Sequence, residues 1–201
     1  MTKKKNNSIK TKDFVSIGVY GALYFIMVAI AALLTVFVIP GYSYVFIPVV
    51  TALLSGTIFI LMVAKVPRFG AITIMGSVMG IFLFLMGRFP GALLICITFA
   101  LIADGIAYGS RYKSRIGILL SYLVFSFNLV GPVLPMFIFP NIYTKQLIEQ
   151  GREADYIEGA FASISQKTFI VLMIALIVAA LAGGLFGQKM MKKHFKKAGI
   201  V

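Results

Sequence analysis

Residues 14–39 read FVSIGVYGALYFIMVAIAALLTVFVI, a run of 26 residues without a charged side chain. A helix needs about 20 mostly apolar residues to cross the hydrocarbon core of a bilayer. The run is therefore long enough for a membrane-spanning helix, and the rest of the chain has the same character. Of its 201 residues, 60% are hydrophobic and 12% are charged. A soluble domain of this size cannot bury that much apolar surface, whereas lipid can solvate it.

Further apolar runs follow the first one, separated by short polar breaks. They predict an all-α membrane protein with six transmembrane helices, at residues 14–39, 42–64, 70–87, 90–109, 115–138 and 167–188. Lys65, Pro67 and Arg68 divide the second run from the third, because charges and proline are disfavoured at the centre of a bilayer. We expect a basic N-terminal segment (1–12), a six-helix transmembrane domain (13–188) and a basic tail (189–201).

Lys and Arg are distributed unequally between the two sets of connections. The chain ends and the second–third and fourth–fifth connections carry 15 of these residues, and the other connections carry 4. The positive-inside rule then places both termini in the cytoplasm. A net charge of +13 would also suit nucleic acid. However, the charges lie at the ends of apolar runs, which favours contact with anionic lipid headgroups and no nucleic-acid partner.

The sequence lacks the signatures of an enzyme. It contains no HExxH, GxSxG or Walker A pattern, and its single cysteine, Cys96, allows neither an intrachain disulfide nor a cysteine-based metal site. The single histidine, His194, lies in the basic tail, where contact with headgroups is the more typical role. We expect no catalytic activity, no cofactor and no metal in this chain. ATP-driven transport would therefore need partner subunits.

Asp104 is the acidic residue that the sequence places inside a span. A carboxylate within the membrane is costly and is often functional. Yet Asp104 lies near the expected cytoplasmic end of the fourth span, within reach of Lys and Arg side chains from nearby loops. The favoured interpretation is a structural ion pair or helix-end anchor. A role in coupling and a role in proton relay stay open.

Small residues recur on one face of the first and last spans. The positions that this pattern singles out are Gly18, Ala22 and Ala29 in the first span, and Ala179 and Gly183 in the last. Faces of this kind let helix backbones approach closely. They suit either packing within the bundle or docking of another membrane protein, and the sequence leaves both open.

The expected outer side combines aromatic rings with a few hydrogen-bonding groups, as small-molecule pockets do. We predict a substrate pocket lined by Tyr42, Tyr44, Arg88, Asn128, Tyr143 and Lys145. Arg88 is suited to clamp an anionic group of a solute. The alternative for the tyrosines is an aromatic belt at the membrane interface.

Two further features concern the outer half of the chain. Gly131, Pro132 and Pro135 interrupt the fifth span, which indicates either a cavity or a kink used for packing. The outer connection, residues 139–166, is long enough to be a lid, or it is a solvated connector. Within it, Glu149, Arg152 and Glu153 have the spacing of a short amphipathic helix.

Several motifs occur in a fixed order along residues 12–190. They are Lys12-Asp13-Phe14 before Gly18-Val19-Tyr20-Gly21-Ala22-Leu23-Tyr24, Lys65-Val66-Pro67-Arg68-Phe69-Gly70 before Gly76 and Gly80, Ala103-Asp104-Gly105 with Tyr112-Lys113-Ser114, and Phe125-Ser126 before Gly131-Pro132-Val133-Leu134-Pro135. Together these segments resemble the substrate-binding S components of energy-coupling-factor (ECF) transporters. The resemblance is closest to the MptD, or Trep_Strep, family of such components.

That resemblance implies a mechanism and a location. An S component in the bacterial cell membrane would bind one micronutrient or related solute in an outward-facing pocket, closed by the 1–2, 3–4 and 5–6 loops. It would dock on an EcfT-like coupling protein that carries two ABC-type ATPases. Docking would use small residues of the first helix, here Gly18, Ala22 and Ala29, with the last span sharing the contact. The alternative is a self-sufficient, gradient-driven carrier or channel, for which Asp104 would be the coupling group.

Overall fold

The computed structural model describes residues 9–162 and 164–195, which contain helices and turns and no β-strand. The predictions that rest on the charges of Lys3, Lys4, Lys5, Lys196 and Lys197 lie outside these residues. The His194 side chain, for which we predicted contact with lipid headgroups, also lies outside the described part of the structure.

The described chain contains ten α-helices. They are α1 (Thr11–Val38), α2 (Ser43–Leu54), α3 (Gly56–Lys65), α4 (Ala71–Leu85), α5 (Gly91–Gly109), α6 (Arg115–Ser126), α7 (Leu134–Ile138), α8 (Pro140–Glu149), α9 (Ala154–Ala162) and α10 (Gln166–Met190). A 3₁₀ turn, Phe127–Val130, continues α6, and a π-helical turn, Met191–Phe195, follows α10. The core contains large apolar side chains from α1, α3, α4 and α6, such as Tyr24, Phe59, Met75 and Phe125.

The second predicted span is bent, because α2 and α3 meet at an angle of 51° around Ser55. Gly183 of α10 lies against the backbone carbonyls of Ala52 and Leu53, with no room for a Cβ. The Tyr122 hydroxyl donates to the Ala52 carbonyl. A bend frees carbonyl groups, which need hydrogen-bond donors inside a membrane protein. The Tyr122 hydroxyl is such a donor for the Ala52 carbonyl.

Contacts between distant segments assemble one end of the bundle. Arg68 Nε lies 3.0 Å from Asp13 Oδ2, which joins the α3–α4 connection to the start of α1. Gln188 Nε2 donates to the Arg115 carbonyl over 2.7 Å, which joins the end of α10 to the start of α6. We call this the basic end, and the opposite end, which carries α8 and α9, the lid end.

Three helices are long and apolar enough to cross a membrane, and a fourth is added if α2 and α3 form one bent span. The long ones are α1, α5 and the stretch Gln166–Lys193. The other two predicted spans are shorter apolar helices, Ala71–Leu85 and Arg115–Val130. A 15-residue helix extends about 22 Å, less than the hydrocarbon thickness of about 30 Å. An all-helical membrane fold is thus confirmed, while six spans and cytoplasmic termini stay predictions.

The outer connection contains two helices separated by a turn. Glu149 ends α8, Gly151 adopts a φ of 72°, and α9 begins at Ala154. Arg152 and Glu153 lie in the turn. The prediction of one amphipathic helix across Glu149, Arg152 and Glu153 is therefore wrong. A glycine in the left-handed region ends a helix readily, which is the physical reason for the break.

Candidate functional site

Tyr44, Arg88 and Pro132 form a polar cluster at the lid end. Arg88 Nη1 donates to the Tyr44 hydroxyl over 3.0 Å, and the guanidinium carbon lies 4.7 Å from the centre of the Tyr44 ring. The Tyr44 hydroxyl donates in turn to the Pro132 carbonyl over 3.2 Å. A cation near an aromatic ring is stabilised by about 0.5–2 kcal/mol. The cluster therefore connects three segments that are far apart in the sequence.

Tyr143 extends this cluster towards the lid. Its side chain is only 4% exposed and packs with Met136 and Leu147. Its ring centre lies 6.3 Å from that of Phe89, the residue after Arg88. The side chain of Gln150 at the end of α8 donates to the Gly87 carbonyl over 2.8 Å. Helix α8 is thereby fixed across the turn between α4 and α5, next to the polar cluster.

The break after α6 is packed by protein side chains. Cys96 Sγ donates to the Asn128 carbonyl over 3.1 Å, and Tyr44 bonds the Pro132 carbonyl. Gly131 and Pro132 are themselves buried. Carbonyls released at membrane depth are tolerated where protein groups satisfy them. At these two carbonyls the geometry matches the packing kink, one of the two interpretations that the sequence allowed.

Asn128 is fully buried and only half satisfied. Its Oδ1 accepts a hydrogen bond from the Tyr24 hydroxyl over 3.3 Å. Its Nδ2 has no hydrogen-bond partner within the described part of the chain. A buried donor without a partner costs about 1–3 kcal/mol. A side chain that keeps such a donor is a candidate for binding a ligand or an ordered water.

The remaining two pocket candidates lie apart from the cluster. Tyr42 is 45% exposed, and its ring packs against Phe46 at a centre-to-centre distance of 6.4 Å. Lys145 is exposed on α8. The structure thus brings Tyr44 and Arg88 together, adds Tyr143 through Phe89, and places Asn128 at the break. It leaves Tyr42 and Lys145 on the surface.

Asp104 caps a neighbouring helix. Its Oδ2 accepts from the Gly70 N–H (2.8 Å), the Thr73 N–H (3.0 Å) and the Thr73 hydroxyl (2.9 Å) at the start of α4. These are donor groups that a helix N-terminus leaves unsatisfied. The carboxylate is fully buried, and no Lys or Arg of the described chain pairs with it. The arrangement is that of a helix-end anchor made by hydrogen bonds rather than by an ion pair.

Tyr112 completes the surroundings of Asp104. Its hydroxyl lies 3.4 Å from Asp104 Oδ1. Burial, together with the nearby Asp104 carboxylate, raises the pKa of Tyr112 well above its ordinary value. The phenol is therefore protonated at neutral pH and acts as the donor.

The Asp13–Arg68 ion pair is a contact that the sequence did not predict. Asp13 Oδ2 also accepts from the Lys10 N–H over 2.8 Å, which caps α1. Asp13 is 7% exposed, so the pair is largely sheltered. The sequence held one signal for this contact: both residues belong to the motifs that occur in a fixed order along the chain, Lys12-Asp13-Phe14 and Lys65-Val66-Pro67-Arg68.

The two small-residue faces have different surroundings. Gly18, Ala22 and Ala29 of α1 are exposed, and outside its own helix no atom lies within 4 Å of a Cβ added at Gly18. Ala179 and Gly183 of α10 are buried. Gly183 packs against α2 and Gly187 against Gly56. Ala179 and Gly183 therefore pack within the bundle, whereas the face of α1 is open, and docking through either face stays a prediction.

These features define a multi-helix integral membrane protein with a half-buried polar cluster at one end and an open small-residue face along its first helix. A family model described as "Hypothetical bacterial integral membrane protein (Trep_Strep)" matches residues 11–197. The chain therefore belongs to the Trep_Strep family, which confirms the resemblance drawn from its motifs. No curated protein and no solved structure matches it.

Proposed function

We propose that this chain is the substrate-binding membrane subunit of an ECF-type importer for a small-molecule micronutrient. It would reside in a bacterial plasma membrane with both termini in the cytoplasm. The observation that carries the proposal is Asn128, a fully buried amide with one unsatisfied donor. A fold that retains such a group next to a helix break favours a ligand that supplies the missing acceptor.

The lid end supports the same interpretation. The Arg88 guanidinium offers several donors in a plane, which suits a carboxylate or phosphate oxygen of a solute. Tyr44 and Tyr143 add rings against which a planar group can pack. Helix α8, held to Gly87 by Gln150, is the element that would open to admit the solute and close over it.

The open face of α1 supports a partner. Gly18, Ala22 and Ala29 are exposed along one helix and leave its backbone approachable. An EcfT-like coupling protein with two ABC-type ATPases would pack there and supply the energy of ATP hydrolysis. The rival is a gradient-driven carrier, whose candidate coupling group is Asp104. That carboxylate already accepts four hydrogen bonds from the start of α4 and from Tyr112, an arrangement typical of a structural anchor.

The experiment is an untargeted mass-spectrometric search for small molecules retained by the full chain after gentle purification. A retained solute that is lost from the Arg88→Ala variant supports a binding subunit. A solute retained equally by both proteins removes Arg88 from the site. Uptake by liposomes containing this chain alone, driven by an ion gradient, would establish the carrier instead.

A further inference from the structure

A cavity of about 850 Å³ lies at the basic end, between α3, the α5–α6 connection and the end of α10. Its polar lining includes four cations and two tyrosines, namely Arg111, Lys113, Arg115, Lys192, Tyr108 and Tyr112. The proposed import mechanism uses none of these side chains. The cavity lies at the opposite end from the polar cluster around Arg88.

The four cations have no carboxylate partner within the described chain. All four are solvent-exposed, and their like charges repel each other across the mouth of the cavity. Asp104, the carboxylate nearest in sequence, already accepts hydrogen bonds at the start of α4. The cavity therefore has a positive potential that an anion would neutralise.

The backbone of this lining is strained. Arg111 and Tyr112 have φ angles of 53° and 56°, in the left-handed region where glycine is favoured. Such conformations are costly for residues other than glycine and persist where the surroundings hold them. The Tyr112 N–H donates to the Ala107 carbonyl over 3.0 Å, and the Tyr112 hydroxyl is held by Asp104. An arginine is thus kept at a position that suits glycine, at the edge of a basic cavity.

The walls of the cavity match an amphiphile rather than a free ion. Ile60, Ala64 and Ile118 line it beside the cations. A phosphodiester would contact the guanidinium and ammonium groups, while the attached glycerol and acyl carbons would contact the apolar wall. We propose that this cavity binds the headgroup of an anionic phospholipid, with Arg111 and Arg115 as its principal phosphate contacts.

The experiment titrates the full chain in mild detergent with short-chain phosphatidylglycerol and counts bound lipid by native mass spectrometry. Phosphatidylcholine with the same acyl chains and inorganic phosphate serve as competing probes. We expect phosphatidylglycerol to bind at least tenfold more tightly than phosphatidylcholine. Removing one cation should weaken binding about fivefold, since a basic residue near anionic lipid contributes about 1 kcal/mol.

The variants are Arg111→Gly and Arg115→Gln. Glycine at 111 fits the left-handed φ, and unchanged thermal unfolding of that variant would exclude misfolding as the cause of lost lipid. The matched control removes two cations of the lid-end connection, Lys145→Gln with Lys167→Gln, and should bind lipid as the wild type does. Equal binding by wild type and variants would overturn the proposal. So would displacement of the lipid by an equal concentration of inorganic phosphate, which would identify a free-anion site.

Discussion

The Asp104 carboxylate on α5 accepts hydrogen bonds from both the backbone N–H and the hydroxyl of Thr73 on α4, over 3.0 and 2.9 Å. The two residues are 31 positions apart in the sequence. An intramembrane acid that suggests transport chemistry in the sequence is thus held at the start of a neighbouring helix. Predictions about this residue therefore concern stability first.

Replacing Asp104 with Ala should destabilise the fold by about 2–4 kcal/mol, because it leaves three half-buried donors of Gly70 and Thr73 without a partner. Asp104→Asn should cost less, since an amide oxygen can still accept at a helix N-terminus. Thermal unfolding in detergent measures both variants. Unchanged stability of Asp104→Ala, with loss of transport, would instead indicate a coupling role.

The paired variant Tyr24→Phe with Asn128→Leu should leave stability within about 1.5 kcal/mol of the wild type, because both hydrogen-bonding partners are replaced together by apolar groups. It should nevertheless lose the retained solute, since the free Asn128 amide is absent. The matched control is Tyr24→Phe alone, which should retain the solute. Retention by the paired variant would remove Asn128 from the site.

Arg88→Ala should weaken solute binding by about tenfold or more, because it removes a half-buried charged group from the proposed site. It should leave recovery of partner proteins unchanged, since α1 is untouched. Lys145→Ala is the control, as this exposed lysine lies outside the cluster. Isothermal titration with the identified solute compares the affinities of the two variants. Equal losses in the two variants would show a general charge effect rather than a site.

Gly183→Ala should destabilise the bundle by about 1–3 kcal/mol, because a Cβ there meets the carbonyls of Ala52 and Leu53. Gly105→Ala is the control, since a Cβ at that position has open space around it. Thermal unfolding in the same detergent compares the stabilities of the two variants. Equal stability would mean that α10 is not packed as closely on the bent span as described.

The sequence was sufficient for features that arise locally. Apolar runs located the long helices α1, α5 and α10 to within a few residues, and Gly131-Pro132 located the break after α6. The motifs led to the family whose model matches residues 11–197. Each of these depends on neighbouring residues, for which hydrophobic length and backbone restriction are strong signals.

What the sequence could not supply arises from contacts between distant segments. The bend at Ser55 has only the adjacent Gly56 as a sequence signal, and it accompanies the close approach of Gly183 and Gly187 to α2 and α3. The same holds for the pairing of Asp13 with Arg68 and for the burial of Ala179. Helix rotation decides which small residues face inward, and one sequence does not fix it.

In the proposed mechanism this chain is one subunit of an ATP-driven importer, docked through the open face of α1. The most direct measurement is quantitative mass spectrometry of the proteins that copurify with the wild type, with Gly18→Leu and with the control Gly105→Leu. We expect a membrane coupling protein and two ATPases with wild type and control, and roughly tenfold lower recovery with Gly18→Leu. Purification of the wild type alone, under conditions that preserve other membrane complexes, would contradict it.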